Sequence, residues 1–420
     1  MTSAHRTAAR RAAALALVLV IGACSATTTP SPSASPVAAA TSTATALPSV
    51  ASATGTPAAT PSATPVATAQ DSCVDSTFAS MSEAQRIGQL FMIGLVKDRL
   101  DAAERSAVAD FHVGSFAFTT QSSAGVKAIR ALTDGVQALA TKKATAGVRF
   151  FVAANQEGGV TQGLAGAGFD VIPSALKQGD LTEATLKKDA ARWGRELGQA
   201  GVNLDLAPVA DVVPPGTDPS NAPIGQLQRE FGHDPATAGS HVAAFIAGME
   251  EAGIDTSAKH FPGLGRVEGN TDFTGDVVDS VTVRGDPYLK PFSAAVEAGV
   301  PFVMVSLATY TKIDPDHIAA FSGTVIDGML RGDLGFDGVV ISDALGATAV
   351  QSIPTGTRAI DFLDAGGDMI ISNQTAPAIE MVKAVAARAT TDEAFRERVN
   401  GALTHVLRAK EVAGLLSCGG

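Results

Sequence analysis

The chain is 420 residues long, with a formal net charge of −11 at pH 7. Past the first dozen residues there is no basic run, which argues against nucleic acid as a partner. No cysteine or histidine neighbours stand at ligand spacing, so no metal site is expected, and no cofactor is implied.

Residues 1–11 are basic through His5, Arg6, Arg10 and Arg11, and residues 12–21 are apolar. That stretch is too short to cross a bilayer, which takes roughly 20 apolar residues, and reads as an export signal over 1–23. It ends in Ile21-Gly22-Ala23-Cys24, which looks like a bacterial lipobox. Cleavage there would leave Cys24 as a lipidated N-terminus, anchoring the protein on the outer face of the cell membrane, in the cell wall space. An ordinary signal peptide with an incidental cysteine is the alternative.

From Ser25 to Gln70 the chain is dominated by Thr, Ser, Pro and Ala, with no aromatic residue and no charge. Such a segment cannot bury enough apolar surface to fold, and residues 24–72 are expected to form a flexible stalk. Cys73 and Cys418 flank the remainder of the chain; in an exported protein they most simply pair as a disulfide stapling the ends of the fold, two free thiols being the alternative. One large domain, 73–420, remains, expected to be monomeric.

Within it, Ser82 opens a helix. Eight short apolar segments come after it, at 90–94, 113–118, 149–155, 202–208, 255–261, 302–307, 339–343 and 369–373, separated by helix-length stretches. This is the pattern of βα units around a parallel sheet, and eight of them predict a (β/α)8 barrel. Residues 181–200 place Leu186, Ala190, Trp193 and Leu197 on one helical face behind a Thr182 cap. Trp193 is therefore assigned to packing rather than to sugar stacking. Residues 391–416 read as a long amphipathic helix.

Chemistry in such barrels collects where strands end. Here that places Asn155, Gln156, Glu157, Asp211, Lys259, His260, Ser306, Asp343 and Asn373 together, a set of carboxylates and amides suited to carbohydrate chemistry. Glu157 and Asp211 read as loop-holding acids that accept backbone hydrogen bonds. His112, His233, His241, His317 and His405 have no partner at helpful spacing.

Three motifs carry a resemblance. The run KHFPGLG at 259–265, followed by a polar triplet at 270–272, resembles the signature of glycoside hydrolase family 3, in particular its single-domain β-N-acetylglucosaminidase branch. MSEAQRIGQLFMIG at 81–94 is similar to the opening of that domain. LRGDLGFDGVVISDAL at 330–345 resembles the segment whose Asp attacks the sugar. The resemblance implies Asp343 as nucleophile. In the branch the triplet usually reads Asp-Ser-His, the His donating the proton; here it reads Asn270, Thr271, Asp272, so Asp272 occupies the donor slot, with Glu268 as its understudy. An acid in that role needs a raised pKa, through burial and the neighbouring charge of Asp343.

Lys259 and His260 match the pair that hydrogen-bonds ring hydroxyls, and Arg229, in REFGHDP, matches an Arg that contacts the sugar or its N-acetyl surroundings, a surface salt bridge being its alternative role. Asn155 stands where an Asp usually chelates two hydroxyls, Val160 where an Arg is usual, and Leu264 where many members carry His.

The expected activity is that of a retaining exo-β-N-acetylglucosaminidase on peptidoglycan-derived fragments, using water rather than phosphate because a carboxylate at the donor position repels an incoming anion. Two alternatives remain open from sequence: a β-glucosidase or other exo-β-glycosidase, and a degenerate barrel that binds cell-wall sugars.

Overall fold

A computed structural model describes residues 69–417. The signal segment, Cys24, nearly all of the stalk and Cys418 lie outside the described residues. The first helix, Ala69–Ser80, runs across the boundary expected at 72/73. Cys73 is buried and disulfide-bonded.

All eight expected strands form: β1 Phe91–Leu95, β2 Ser115–Phe118, β3 Phe151–Ala154, β4 Leu204–Asp205, β5 Asp255–Phe261, β6 Phe302–Val305, β7 Val339–Ser342 and β8 Ile370–Ser372. β5 spans its expected run and β1 is shifted by one residue, while the other six are shorter than their apolar runs, β4 most of all, since Pro208 has no N–H to give a ladder. The sheet is parallel in the order β7-β6-β5-β4-β3-β2-β1-β8. A parallel bridge between Ile341 and Met369 closes it, with Ser342 N donating to Met369 O at 2.9 Å. Strand side chains are buried on both faces because helices cover the outside of the ring and opposing strands fill its centre.

The helices follow their signals. Ser82 caps Glu83–Gly88 in a capping box with Gln85. Thr182 caps Glu183–Gln199, which turns Leu186, Ala190, Trp193 and Leu197 inward; Trp193 is 2% exposed, as packing requires. The long C-terminal helix is Glu393–Val412, separated by the capping residue Asp392 from a preceding helix, Thr375–Thr391. Its Lys410 plugs the floor of the barrel, donating to Gln89 Oε1, Gly114 O and Arg149 O at 2.7, 2.7 and 3.0 Å, just before β1, β2 and β3 respectively.

At the opposite end the loops build up. The loop leaving β5 is tied down early: the buried Asn221 amide donates to Leu264 O at 2.8 Å and Val267 O at 2.7 Å. Farther along, Val278–Asp279 pairs with Thr309–Tyr310, which pairs with Asp314–Ile318, making a small sheet at the mouth. Among the described residues no helix is long and apolar enough to cross a membrane.

Candidate active site

The strand ends and their loops enclose a cavity of about 340 Å³ whose lining includes Asn155, Glu157, Arg229, Lys259, His260, Asp272, Phe273, Asp343 and Asn373. Residues separated by more than two hundred positions in sequence thus meet at one place. Glu268 is exposed and does not line the cavity.

Charge on the β3 and β5 side centres on Glu157. Its carboxylate accepts from Arg229 Nε and Nη2 at 2.7 and 2.8 Å and from Lys259 Nζ at 2.6 Å. Burial alone would raise the Glu157 carboxyl, but the Arg229 and Lys259 charges outweigh it and hold the group well below the usual carboxylate range. Glu157 therefore does not serve as an acceptor of backbone hydrogen bonds, as its place in a Gly-rich turn implies; its carboxylate is committed to two cations. Arg229 likewise forms no surface salt bridge, because its side chain is 12% exposed and its partner 3%.

Lys259 spends a second donor on Asn155 Oδ1, at 2.8 Å. An ammonium has three N–H groups, so one remains for the cavity. Asn155 is thereby fixed with its carbonyl turned to Lys259.

His260 is held twice by Asp211, whose Oδ1 accepts its backbone N–H at 3.0 Å and whose Oδ2 lies 2.7 Å from Nδ1. The same Oδ1 accepts from Leu264 N at 2.9 Å, so Asp211 does bind backbone as expected and also fixes the imidazole. With Nδ1 turned to Asp211, the other ring nitrogen faces the cavity. Ser306 is fully buried and bonded to the Tyr310 hydroxyl at 3.0 Å, and Tyr310 donates to Gly263 O at 2.8 Å; it braces the β5 loop rather than lining the site. The five other histidines among the described residues are all hydrogen-bonded: His112 with Ala144 O, His233 with Val213 O, His241 with two carbonyls, His317 with Asp314 and His405 with Asp368. For His112, His233, His241 and His405 these partners are backbone carbonyls or a side chain on another element, where spacing along the chain gives little sign of them, whereas the partner of His317 stands three residues away on its own strand.

Asp343 follows β7 and bonds the next backbone N–H, Ala344 N to Oδ1, at 2.7 Å. Asp272 sits on the β5 loop, its N–H given to Asn270 Oδ1 at 2.9 Å. One side of Asp272 is open to solvent. Crowding by the protein at the cavity mouth, and then the negative charge of Asp343, raise its carboxyl above the ordinary value, with His260, Arg229 and Lys259 opposing. Phe273, next to it, is 80% exposed yet lines the mouth; sequence reasoning passes over it, although an aromatic side chain beside Asp272 in a Gly-rich loop is a signal.

The match with known proteins agrees with this geometry. The profile of the glycosyl hydrolase family 3 N terminal domain covers residues 83–409. The chain belongs to glycosyl hydrolase family 3. This family 3 barrel is similar to a β-N-acetylhexosaminidase from Beutenbergia cavernae, with 47% identity and a TM-score of 0.78 over 79% of this chain and 99% of that one. It is also similar to a family 3 β-N-acetylglucosaminidase from Paenibacillus, at 25% identity and a TM-score of 0.73 over 81% of this chain and 64% of the other. A β-hexosaminidase from Alkalilimnicola ehrlichii is 33% identical over 291 residues, 67% of this chain and 79% of its own. The chain is accordingly a glycoside hydrolase built on a (β/α)8 barrel.

Proposed function

We propose that this glycoside hydrolase is a retaining exo-β-N-acetylglucosaminidase that removes terminal N-acetylglucosamine from peptidoglycan-derived fragments, and that export and lipidation at Cys24 hold it in the cell wall space. The observation that carries the catalytic reading is that Asp272 and Asp343, on loops from different strands, line one cavity and lie close enough for the charge of Asp343 to raise the Asp272 carboxyl. Support for the sugar comes from the hexosaminidase relatives, one of them sharing 47% identity over nearly its whole length.

In the first step Asp343 Oδ attacks the anomeric carbon while the bond to the leaving oxygen breaks and takes the Asp272 proton. In the second, Asp272 accepts a proton from water as the water oxygen displaces Asp343 from that carbon, returning both carboxyls to their starting states. Lys259, with its remaining N–H, His260, Asn155 and Arg229 supply hydrogen bonds to ring substituents. An acid raised in pKa keeps its proton to higher pH, as the proton donor of a carboxyl pair must.

The test compares purified protein with its Asp343→Ala and Asp272→Ala variants on aryl β-N-acetylglucosaminide and aryl β-glucoside. Cleavage of the first substrate, with retention of anomeric configuration and loss in both variants, is the expected result. Cleavage of the glucoside alone would move the sugar assignment, and phosphate-dependent release of a sugar 1-phosphate would overturn water as acceptor. Radiolabelled palmitate on the wild-type protein, lost in Cys24→Ala, tests the anchor.

A further inference from the structure

Outside the sugar cavity, the segment between β4 and the helix Pro235–Glu251 gathers three ligating groups. Asp218, Glu230 and His233 each bring one donor atom, and these atoms lie within 4.8 Å of one another. Glu230 is fully buried, at 0% exposure, and neither of its carboxylate oxygens receives a hydrogen bond. A buried carboxylate left in that state is costly.

The histidine is set up as a ligand. His233 Nδ1 lies 3.1 Å from Val213 O, so that nitrogen carries the hydrogen and Nε2 presents its lone pair. Nε2 points at Asp218 Oδ1, 3.7 Å away. A lone pair facing a carboxylate oxygen is unfavourable unless a proton or a metal cation lies between them. The backbone carbonyl behind Nδ1 is the kind of partner that orients a metal-binding imidazole. Asp218 and His233 are each about one-third exposed on their side chains, at 29% and 32%, which leaves a path for an ion and room for water ligands.

We propose that Asp218, Glu230 and His233 bind one divalent transition-metal cation, zinc in character, which braces the wall of the sugar cavity. One imidazole nitrogen and two carboxylates suit zinc and its neighbours better than an all-oxygen cation such as calcium. The bracing follows from chain order: Glu230 adjoins Arg229, whose guanidinium holds Glu157, and Pro223 and Leu227 from the same segment line the cavity. The ion would tie the turn at Asp218–Ser220 to the stretch that carries Arg229.

The experiment uses the full chain stripped with EDTA and titrated with zinc chloride by calorimetry, and separately with cobalt chloride followed by visible absorption. A single equivalent bound, a cobalt spectrum and a zinc-dependent rise in Tm are expected. Glu230→Gln should weaken zinc binding roughly tenfold or more and abolish the Tm response; should that variant fail to fold, Asp218→Asn at the more exposed position carries the same test. No zinc binding, or binding equal in wild type and variants, overturns the site. So does a Glu230→Gln protein more heat-stable than zinc-free wild type at pH 8 with no zinc response in either, since Glu230 and Asp218 would then simply share a proton.

Discussion

Asp272 gives its backbone carbonyl to Thr348, which donates from Oγ1 at 2.8 Å and from N at 3.3 Å. Ala349 N reaches Thr271 O next door, at 3.0 Å. The loop leaving β5 is therefore buttoned onto the loop leaving β7, five residues past Asp343, and the two candidate catalytic carboxyls are set by a shared backbone clasp. Loss of one neutral hydrogen bond costs about 1 kcal/mol, or about fivefold in rate if the clasp holds Asp272 in its working position. Thr348→Val is thus expected to lower kcat on an aryl glycoside about fivefold with KM little changed. An unchanged kcat would mean that the loop is held without this contact.

The roles of the two acids separate by leaving group. Without Asp272 the leaving oxygen has no proton donor, but a dinitrophenolate needs none. Asp272→Ala should keep near-normal turnover of a dinitrophenyl substrate to the glycosyl-enzyme, lose it on poor leaving groups, and be rescued by azide with formation of a β-glycosyl azide. Asp343→Ala should form no glycosyl-enzyme and no β-azide, any azide product being the α-anomer. An α-azide from Asp272→Ala, or a β-azide from Asp343→Ala, would exchange the two assignments.

The pH dependence follows from the raised Asp272 carboxyl, whose causes are crowding at the mouth first and Asp343 second. A raised pKa keeps the proton to higher pH, so the alkaline limb of kcat/KM should lie above the range of an ordinary Asp. Carbon NMR titration of the Asp272 carboxyl in wild type and in Asp343→Asn checks the coupling directly. Removing the negative charge should move the titration down in pH, and an identical curve in both proteins would sever the electrostatic link.

Much of this is readable from sequence because it is local. The (β/α)8 fold follows from eight apolar runs separated by helix-length stretches, and Lys259, His260, Asp272 and Asp343 lie inside contiguous motifs at strand ends. What is not readable is who holds whom. Glu157 reads as a turn residue because its ion partners come from other elements, Arg229 standing 72 positions away. The Tyr310 hydroxyl bracing Gly263, and Lys410 closing the barrel floor across as many as 321 positions, leave no trace in local pattern either. The helix Thr324–Asp333 is wound as a π-helix, a turn that a search for 3.6-residue periodicity does not detect.

Glu157 offers a stability prediction as well. Its folded pKa is depressed below the unfolded value, so its contribution is present above the ordinary Glu range and disappears as pH falls through the folded pKa. Glu157→Gln leaves Lys259 and Arg229 buried without their counter-charge, which costs about 3–5 kcal/mol. The variant should unfold at markedly lower denaturant, and a KM increase should accompany it because both cations face the sugar cavity. A midpoint within error of wild type would show that the trio is dispensable.

Asp205, at the end of β4, should behave with the opposite sign. It is fully buried; Oδ1 accepts from Gln156 N at 2.9 Å, while Oδ2 receives no hydrogen bond. Burial pushes its carboxyl from 3.8 up to about 7, against the pull of Gln156 and Lys259. A folded pKa above the unfolded one means that the native state holds its proton longer, so the stability linked to Asp205 is intact below about 3.8 and is lost as pH rises toward about 7. The span sets an upper bound of about 4 kcal/mol, at 1.36 kcal/mol per unit. Asp205→Asn keeps the acceptor for Gln156 and removes the titration. The Tm of the variant minus that of wild type should therefore climb between pH 4 and pH 8, acid effects elsewhere in the protein cancelling in the difference. A difference that stays flat, or falls, across that interval would place an ionised Asp205 in the folded barrel at every pH and return the burden of neutralising it to Lys259.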